Sequence, residues 1–124
     1  MKVLIIDNSV QIIARLKELL IESIAELTIK EACTYEDAIY CIEKFNPEII
    51  LLDINLPNNQ SFDIVKISKS IYSKTVIIVL SIFLDEQIQS KYTNMGADFF
   101  IDKYKKFEAV PKIISQIKME RAIL

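Results

Sequence analysis

Hydrophobic and polar positions follow two alternating patterns along the 124 residues of this chain. Short apolar runs, such as residues 3–6, are typical of parallel strands that are covered on both faces. Between these runs, apolar residues recur every three or four positions, which is typical of helices with one buried face. The patterns predict strands at residues 2–6, 26–32, 48–52, 75–80 and 98–101, and helices at residues 9–21, 35–44, 61–71, 85–95 and 107–123.

Strands and helices alternate throughout with short connections, which predicts an α/β fold. Right-handed crossovers place helices on both faces of the sheet. We therefore expect a doubly wound five-stranded parallel sheet, (βα)5, in a three-layer α/β/α arrangement. The chain contains no linker, repeat or low-complexity segment, so residues 1–124 are interpreted as a single domain.

Composition and charge exclude several classes of function. The net charge is −2 and the basic residues are scattered, so no basic surface for nucleic acid or an anionic membrane is expected. No apolar run could span a bilayer and no secretory signal is present, which favours a cytoplasmic protein. Histidine is absent, which excludes Ser-His-Asp catalysis, histidine metal sites and a phosphohistidine donor. Cys33 and Cys41 lack metal or redox spacing and are expected to be core thiols.

Local signals mark several helix ends. Ser9 and Thr34 are candidate N-caps of the first two helices, and Pro111 is tolerable only in the first turn of the last helix. Gly96 is the only glycine and is expected to be the left-handed residue that ends the fourth helix. With a single glycine, the chain has no glycine-rich phosphate loop, which argues against dinucleotide binding and a P-loop.

Polar side chains follow the predicted strands at one edge of the sheet. Asp7 comes after the first strand and Asp53 after the third, which Pro57 prevents from continuing. The usual order of such a sheet makes the first and third strands neighbours, so both acids are expected in one crevice. Two carboxylates, the amide of Asn8 and the backbone carbonyl of Asn55 are oxygen ligands that suit Mg²⁺.

Ser81 and Lys103 end the fourth and fifth strands, so both can reach the same crevice. A hydroxyl, an ammonium group and a divalent cation around one carboxylate form a strong oxyanion site. This set predicts that a phosphoryl group can be transferred onto Asp53, because carboxylates act as nucleophiles. Two plainer interpretations stay open, in which Asp7 only caps the first helix and Lys103 only neutralises the acids.

In their order and spacing, these motifs resemble the response-regulator receiver domain of the chemotaxis type, over essentially the whole chain. The resemblance depends on five segments, which are Ile5-Ile6-Asp7-Asn8-Ser9, Leu51-Leu52-Asp53-Ile54-Asn55-Leu56-Pro57, Val79-Leu80-Ser81, Met95-Gly96-Ala97-Asp98-Phe99-Phe100 and Asp102-Lys103. The resemblance implies a flavodoxin-like fold. It also implies that Asp53 accepts a phosphoryl group from a histidine kinase or a histidine phosphotransfer protein. The implied Mg²⁺ ligands are Asp7, Asn8, Asp53 and the backbone carbonyl of Asn55.

The resemblance further implies a switch. Lys103 would contact the phosphoryl group, and Ser81 would move toward it together with Phe100. The movement would alter a face made by the fourth helix, the fifth strand and the fifth helix, which such domains use to form homodimers or to bind a downstream target. The resemblance therefore implies a signalling domain that catalyses at most its own phosphorylation and dephosphorylation. The apolar segment Ile82-Phe83-Leu84 beside that face predicts an interface, or else it packs back onto the fourth helix.

Four positions depart from the family pattern. Asn8 stands where a second acid is usual, so weaker Mg²⁺ binding is expected. Ser61 replaces the usual glycine after the acceptor loop, which restricts that loop. Tyr104 replaces the usual proline after Lys103, so we expect a trans bond with a shifted loop or a strained cis bond. Phe83 stands where a polar residue is frequent and is expected to shield the phosphoryl group from water.

These departures leave other functions open. The first alternative is a degenerate receiver that acts as a phosphorylation-independent interaction or dimerisation module. A phosphatase of the haloacid-dehalogenase type, with Asp53 as its nucleophile, ranks lower because Asn55 stands where a second acid is needed. Flavin binding ranks last, because no hydroxyl-rich or glycine-rich phosphate loop follows the first strand. The sequence fits both a stand-alone receiver and a part of a longer regulator.

Overall fold

The computed structural model describes residues 1–82 and 85–123. One sheet contains five strands, which are β1 (Lys2–Ile6), β2 (Thr28–Ala32), β3 (Ile49–Asp53), β4 (Val76–Ser81) and β5 (Phe99–Asp102). All pairs are parallel and the order is β2-β1-β3-β4-β5. The helices are α1 (Val10–Ser23), α2 (Tyr35–Phe45), α3 (Gln60–Ile71), α4 (Glu86–Met95) and α5 (Ala109–Ile123), and a 3₁₀ turn at Pro57–Asn59 precedes α3. The predicted doubly wound, five-stranded parallel α/β fold is confirmed.

Each face of the sheet has its own hydrophobic core, because successive residues of a strand point to opposite sides. Val3 and Ile5 of β1 pack into a core with α1 and α5. Leu4 and Ile6 pack into a second core with α2, α3 and α4. The central strand β3 is buried at every position. The apolar runs of the sequence are therefore explained by the two helical layers that exclude water from both faces.

Three strands end one residue later than the sequence pattern predicts. β3, β4 and β5 end at Asp53, Ser81 and Asp102, because backbone hydrogen bonds continue through these polar residues. Beyond the last of these residues, the N–H of Lys103 still donates to the carbonyl of Ser81 at 2.8 Å. The sheet itself therefore fixes the backbone of the polar residues at this edge.

Several other boundaries shift by one or two residues from the prediction, and two of these shifts have a clear local cause. β2 begins at Thr28 rather than at residue 26, because Glu26 has a φ of 61° and turns the chain before the strand. α5 begins at Ala109 rather than at residue 107, because a tight turn that contains Phe107 precedes it. Pro111 is therefore the third residue of α5 and lies in its first turn, as predicted.

Both predicted N-caps are confirmed. The Ser9 hydroxyl accepts a hydrogen bond from the N–H of Ile12 at 3.3 Å, at the start of α1. The Thr34 hydroxyl accepts one from the N–H of Asp37 at 3.1 Å, at the start of α2. Each cap satisfies a backbone donor that has no partner within its helix.

The prediction that both cysteines are core thiols was wrong for Cys33. This residue is exposed, and it lies in the short connection that follows β2, the edge strand of the sheet. Cys41 of α2 is partly buried, and burial raises the pKa of its thiol. Both cysteines are free thiols.

The region after β4 is only partly described. Ile82 follows the strand with 52% of its surface exposed. Phe83 and Leu84 lie outside the described residues, and with them the predicted shielding role of Phe83 and the rest of the predicted interface at Ile82-Phe83-Leu84. Across residues 1–82 and 85–123, none of the helices has the length and apolar character that a membrane span requires.

Gly96 ends α4 with a φ of 117°, as expected for a left-handed residue. A Cβ at this position would lie 2.8 Å from Cγ of Lys69. We expect Gly96→Ala to lower the free energy of unfolding by about 1–3 kcal/mol, because both the backbone angle and this contact oppose a side chain. Urea unfolding followed by circular dichroism measures the change. The control is Asn94→Ala in the same helix, expected to stay within about 0.5 kcal/mol. Equal losses in both variants would contradict this account.

Candidate functional site

The carboxyl-terminal edge of the sheet brings three buried charged residues together. β1 and β3 are neighbours, which places Asp7, directly after β1, near Asp53 at the end of β3. Lys103 follows β5 and reaches past β4 to both acids. The exposed fractions of Asp7, Asp53 and Lys103 are 0%, 1% and 6%. The two acids share one crevice, as the strand order predicted.

Lys103 bridges the two carboxylates. Its Nζ lies 2.7 Å from Oδ2 of Asp7 and 3.4 Å from Oδ1 of Asp53. Oδ1 of Asp7 accepts a hydrogen bond from the N–H of Ser9 at 2.8 Å, and Oδ1 of Asp53 accepts one from the N–H of Asn55 at 3.0 Å. Each carboxylate is therefore oriented by an amide of the loop that follows its strand. The N-cap of α1 is therefore Ser9 and not Asp7. Asp7 accepts a hydrogen bond from the backbone of that capping residue.

The charges of the crevice do not balance. Two carboxylates and one ammonium group carry two negative charges and one positive charge. Burial and the charge of Asp7 raise the pKa of Asp53, although the N–H of Asn55 and the ammonium of Lys103 act in the opposite direction. Burial alone would lower the pKa of Lys103, but its contacts with Asp7 and Asp53 outweigh burial and raise that pKa. The two acids therefore favour the charged form of Lys103.

The residues present fit a Mg²⁺ ion that keeps part of its water shell. Within the described part of the chain, no donor meets hydrogen-bond geometry at the buried Oδ2 of Asp7, although Lys103 Nζ lies close to it. A buried, incompletely satisfied oxygen beside a second carboxylate suits a hard cation. Among the described residues, no group of three or more acidic or cysteine side chains is arranged so that it could hold a metal ion. Asp7 and Asp53 would therefore supply the ligand charge, and water would complete the coordination.

The other predicted residues lie around the crevice at different depths. Asn8 follows Asp7 and is exposed, so its amide would add an oxygen without a charge. Ser81 is buried at the end of β4. Phe100 of β5 is partly buried against the core on the α4 side, whereas the preceding Phe99 is exposed. The two phenylalanines thus face opposite sides of the sheet, as expected.

The structure gives Ser61 a contact that sequence reasoning missed. Its buried hydroxyl donates to the backbone carbonyl of Asp53 at 2.5 Å. This bond joins the first turn of α3 to the end of β3. The sequence offered a weak signal, since a hydroxyl replaces the usual glycine eight residues after Asp53, but only the fold shows what the hydroxyl contacts.

Asp102 makes a second contact that the sequence did not reveal. Its Oδ1 accepts hydrogen bonds from the N–H groups of Tyr104 and Lys105, at 2.9 and 2.8 Å. These bonds lower the pKa of Asp102, because they favour the ionised carboxylate. The peptide bond between Lys103 and Tyr104 is trans, which was one of the two conformations expected there. Tyr104 itself is 68% exposed.

Comparison with known proteins decides the family. The family model of the response regulator receiver domain matches residues 3–115 of the chain. The chain belongs to this family. It is a receiver domain of the kind found in two-component signalling systems, and such domains interact with histidine kinases and downstream effectors.

One curated relative of this receiver is the transcriptional regulatory protein DegU of Brevibacillus brevis, which is 28% identical over 82 residues. That alignment covers 66% of this chain but 35% of DegU, so the receiver spans well under half the length of that relative.

Solved structures confirm the fold of the receiver. The signal receiver domain of a DNA-binding response regulator from Colwellia psychrerythraea 34H gives a TM-score of 0.89 at 22% identity, covering 96% of this chain and 98% of that one. A CheY-like receiver domain protein from Methanospirillum hungatei JF-1 gives 0.86 at 20% identity, covering 98% and 95%. Chemotaxis protein CheY4 of Vibrio cholerae gives 0.82 at 24% identity, covering 93% and 96%. The receiver fold is therefore flavodoxin-like, as the resemblance implied.

The central lysine is expected to stabilise the receiver. Lys103→Met should lower the free energy of unfolding by about 3 kcal/mol, because it leaves two buried carboxylates without a counter-ion. Asp53→Asn should instead be neutral or stabilising, since it removes one of the two buried negative charges. Urea unfolding at neutral pH without divalent cations measures both. Lys105→Met, which changes an exposed lysine in the same turn, is the control and should stay within about 0.5 kcal/mol. A loss for Lys103→Met no larger than this control would contradict the role assigned to the buried cation.

Proposed function

We propose that this receiver accepts a phosphoryl group on Asp53 from a histidine kinase or a histidine phosphotransfer protein, and that the modified domain binds its target differently. The observation that carries the proposal is the buried lysine shared by two carboxylates at the carboxyl edge of the sheet. We further propose that residues 1–124 form one receiver domain and that it acts in the cytoplasm. Family membership supports the signalling role.

The geometry around Asp53 supports one of its oxygens as the nucleophile. The amide of Asn55 and the ammonium of Lys103 both lie against Oδ1. Oδ2 is then the oxygen that attacks phosphorus, while the bond from phosphorus to the donor nitrogen or oxygen breaks and its electrons stay with the donor. Lys103 would shift from its position between the acids to neutralise the oxygens of the transferred group.

The metal ligands that we propose are Asp7, Asp53, the backbone carbonyl of Asn55 and the side chain of Asn8. Mg²⁺, when bound there, would supply positive charge that neutralises the phosphoryl oxygens. The incompletely satisfied Oδ2 of Asp7 supports this assignment.

For the switch, we propose that Ser81 donates its hydroxyl to the phosphoryl group and that Phe100 changes its packing as a result. Ser81 ends β4 and Phe100 lies on β5, and both strands are next to α4. The exposed residues Ile82 and Phe99 belong to the same region. The face made by α4, β5 and α5 would then bind a downstream protein or a second copy of the chain. A DNA-binding effector is one class of target that this proposal includes, because the Brevibacillus relative is a transcriptional regulatory protein.

A second candidate function is an interaction module that needs no phosphorylation. The short contact between Lys103 and Asp7 favours it, because the ammonium group already neutralises part of the charge that would attract a metal. The neutral Asn8 weakens that attraction further.

Phosphorylation can be tested directly by intact-protein mass spectrometry after incubation with acetyl phosphate and Mg²⁺. We expect a single phosphoryl adduct in the wild type and none in Asp53→Asn. Asp63→Asn, which changes an exposed acid on α3, is the matched control and should keep the adduct.

Lys103→Ala should slow adduct formation about 100-fold, because it removes preorganised positive charge. Beryllium fluoride tests the same site without a donor, by shifts of backbone amide signals. Absence of both the adduct and the shifts would favour the phosphorylation-independent module.

Asn8 should limit metal affinity. Asn8→Asp adds a carboxylate beside Asp7, so we expect Mg²⁺ to bind about tenfold more tightly, which corresponds to about 1.4 kcal/mol. The dissociation constant can be measured by titrating Mg²⁺ against amide chemical shifts. Gln11→Glu, an exposed change that adds the same charge on α1, is the control for a general electrostatic effect. An equal gain from both changes would argue against Asn8 as a ligand position.

A further inference from the structure

Asp102 closes the turn that directly follows Lys103. Besides the two bonds that its carboxylate accepts from Tyr104 and Lys105, its backbone carbonyl accepts one from the N–H of Lys106 at 3.2 Å. A single residue therefore holds three successive amides. The two side-chain bonds involve an ionised acceptor, and such bonds are stronger than neutral ones.

Hydrogen bonds hold the backbone on both sides of Lys103. On the N-terminal side, its N–H donates to Ser81 at the end of the β4–β5 ladder. On the C-terminal side, the chain turns under the control of Asp102. Tyr104 is mostly exposed, so packing of its side chain contributes little to the turn. The proline that is usual after this lysine in the family is absent, and with it the constraint of its ring.

We propose that Asp102 is a positioning residue for Lys103. Its carboxylate sets the path of the backbone at Lys103–Lys105, so that the buried ammonium group lies against Asp7 and Asp53. In this chain the hydrogen bonds of Asp102 provide the local order that a proline ring would otherwise supply. The inference rests on the proposed function, because it assigns Asp102 an effect on phosphoryl transfer that acts through Lys103.

Loss of the Asp102 carboxylate is expected to have a moderate effect on the phosphorylation rate, because the flexible side chain of Lys103 partly compensates for a displaced backbone. We expect Asp102→Ala to slow phosphorylation of Asp53 by acetyl phosphate about tenfold, as misplaced reacting groups do. Asp102→Asn should recover most of the rate, because its amide oxygen accepts the same two bonds.

Asp98, which directly precedes the same strand, provides a matched control. It lies at the amino-terminal end of β5, away from the carboxyl-terminal ends of the strands that form the crevice. Its Oδ2 accepts a hydrogen bond from the N–H of Ile77 at 2.9 Å and lies 3.2 Å from Nζ of Lys69. Asp98→Ala also removes a carboxylate that binds a backbone amide, but it does so far from Lys103. It should lower stability without slowing phosphorylation. An equal slowing in Asp98→Ala and Asp102→Ala would overturn the proposal.

A double-mutant cycle tests whether Asp102 acts through Lys103. In a Lys103→Ala background, the additional change Asp102→Ala should alter the phosphorylation rate by less than about twofold. The same tenfold loss in both backgrounds would show an independent effect and would overturn the proposal.

Two readouts separate this proposal from the proposed function, because they need no phosphorylation. Amide hydrogen exchange at Tyr104 and Lys105 should speed up in Asp102→Ala and stay slow in Asp102→Asn. The change in urea midpoint of the double variant should differ from the sum of the changes caused by Asp102→Ala and Lys103→Met alone. If the wild type accepts no phosphoryl group, the proposed function fails, while these two measurements still decide the positioning role. Unchanged exchange, or strictly additive midpoints, would overturn it.

Discussion

The contact of buried Lys103 with two carboxylates constrains the rest of this structure. Removing ionised groups from water costs several kcal/mol for each ion, and their attraction offsets that cost only in good geometry. The sheet supplies the geometry, because Asp7, Asp53 and Lys103 lie at or next to the ends of strands that are covered on both faces. The two apolar cores therefore stabilise the fold and also hold charges of the same sign in one crevice.

Short polar contacts in the loops refine this arrangement. The amides of Ser9 and Asn55 orient the two carboxylates, and the hydroxyl of Ser61 holds the backbone of Asp53. Asp102 orders the turn after the lysine. Ser61 is itself a position at which the chain departs from the family pattern, and Asp102 lies two residues before another, Tyr104. In the turn after Lys103, hydrogen bonds to Asp102 order a backbone that no proline ring restricts.

Much of the fold could be predicted from the sequence because covered strands and amphipathic helices leave simple periodic patterns. The five strands, the five helices, the caps at Ser9 and Thr34 and the left-handed Gly96 all followed from such patterns. The strand ends were misplaced by one residue, because polar side chains at Asp53 and Ser81 conceal a ladder that continues through them. Cys33 was misplaced because the sequence does not show that β2 lies at the edge of the sheet.

For the functional site, the sequence was enough to identify the chemical groups at the strand ends, namely two acids, a hydroxyl and a lysine. It also determined the family, since the spacing of those groups is specific in combination. The arrangement of these groups came only from the folded chain. Lys103 lies closer to Asp7 than to Asp53, Lys103 is the one donor close to Oδ2 of Asp7 among the described residues, and Ser61 and Asp102 hold the adjoining backbone. These contacts could not be predicted because hydrophobic periodicity reflects burial along a single helix or strand. The contacts join segments that are distant in sequence and meet only when the sheet forms.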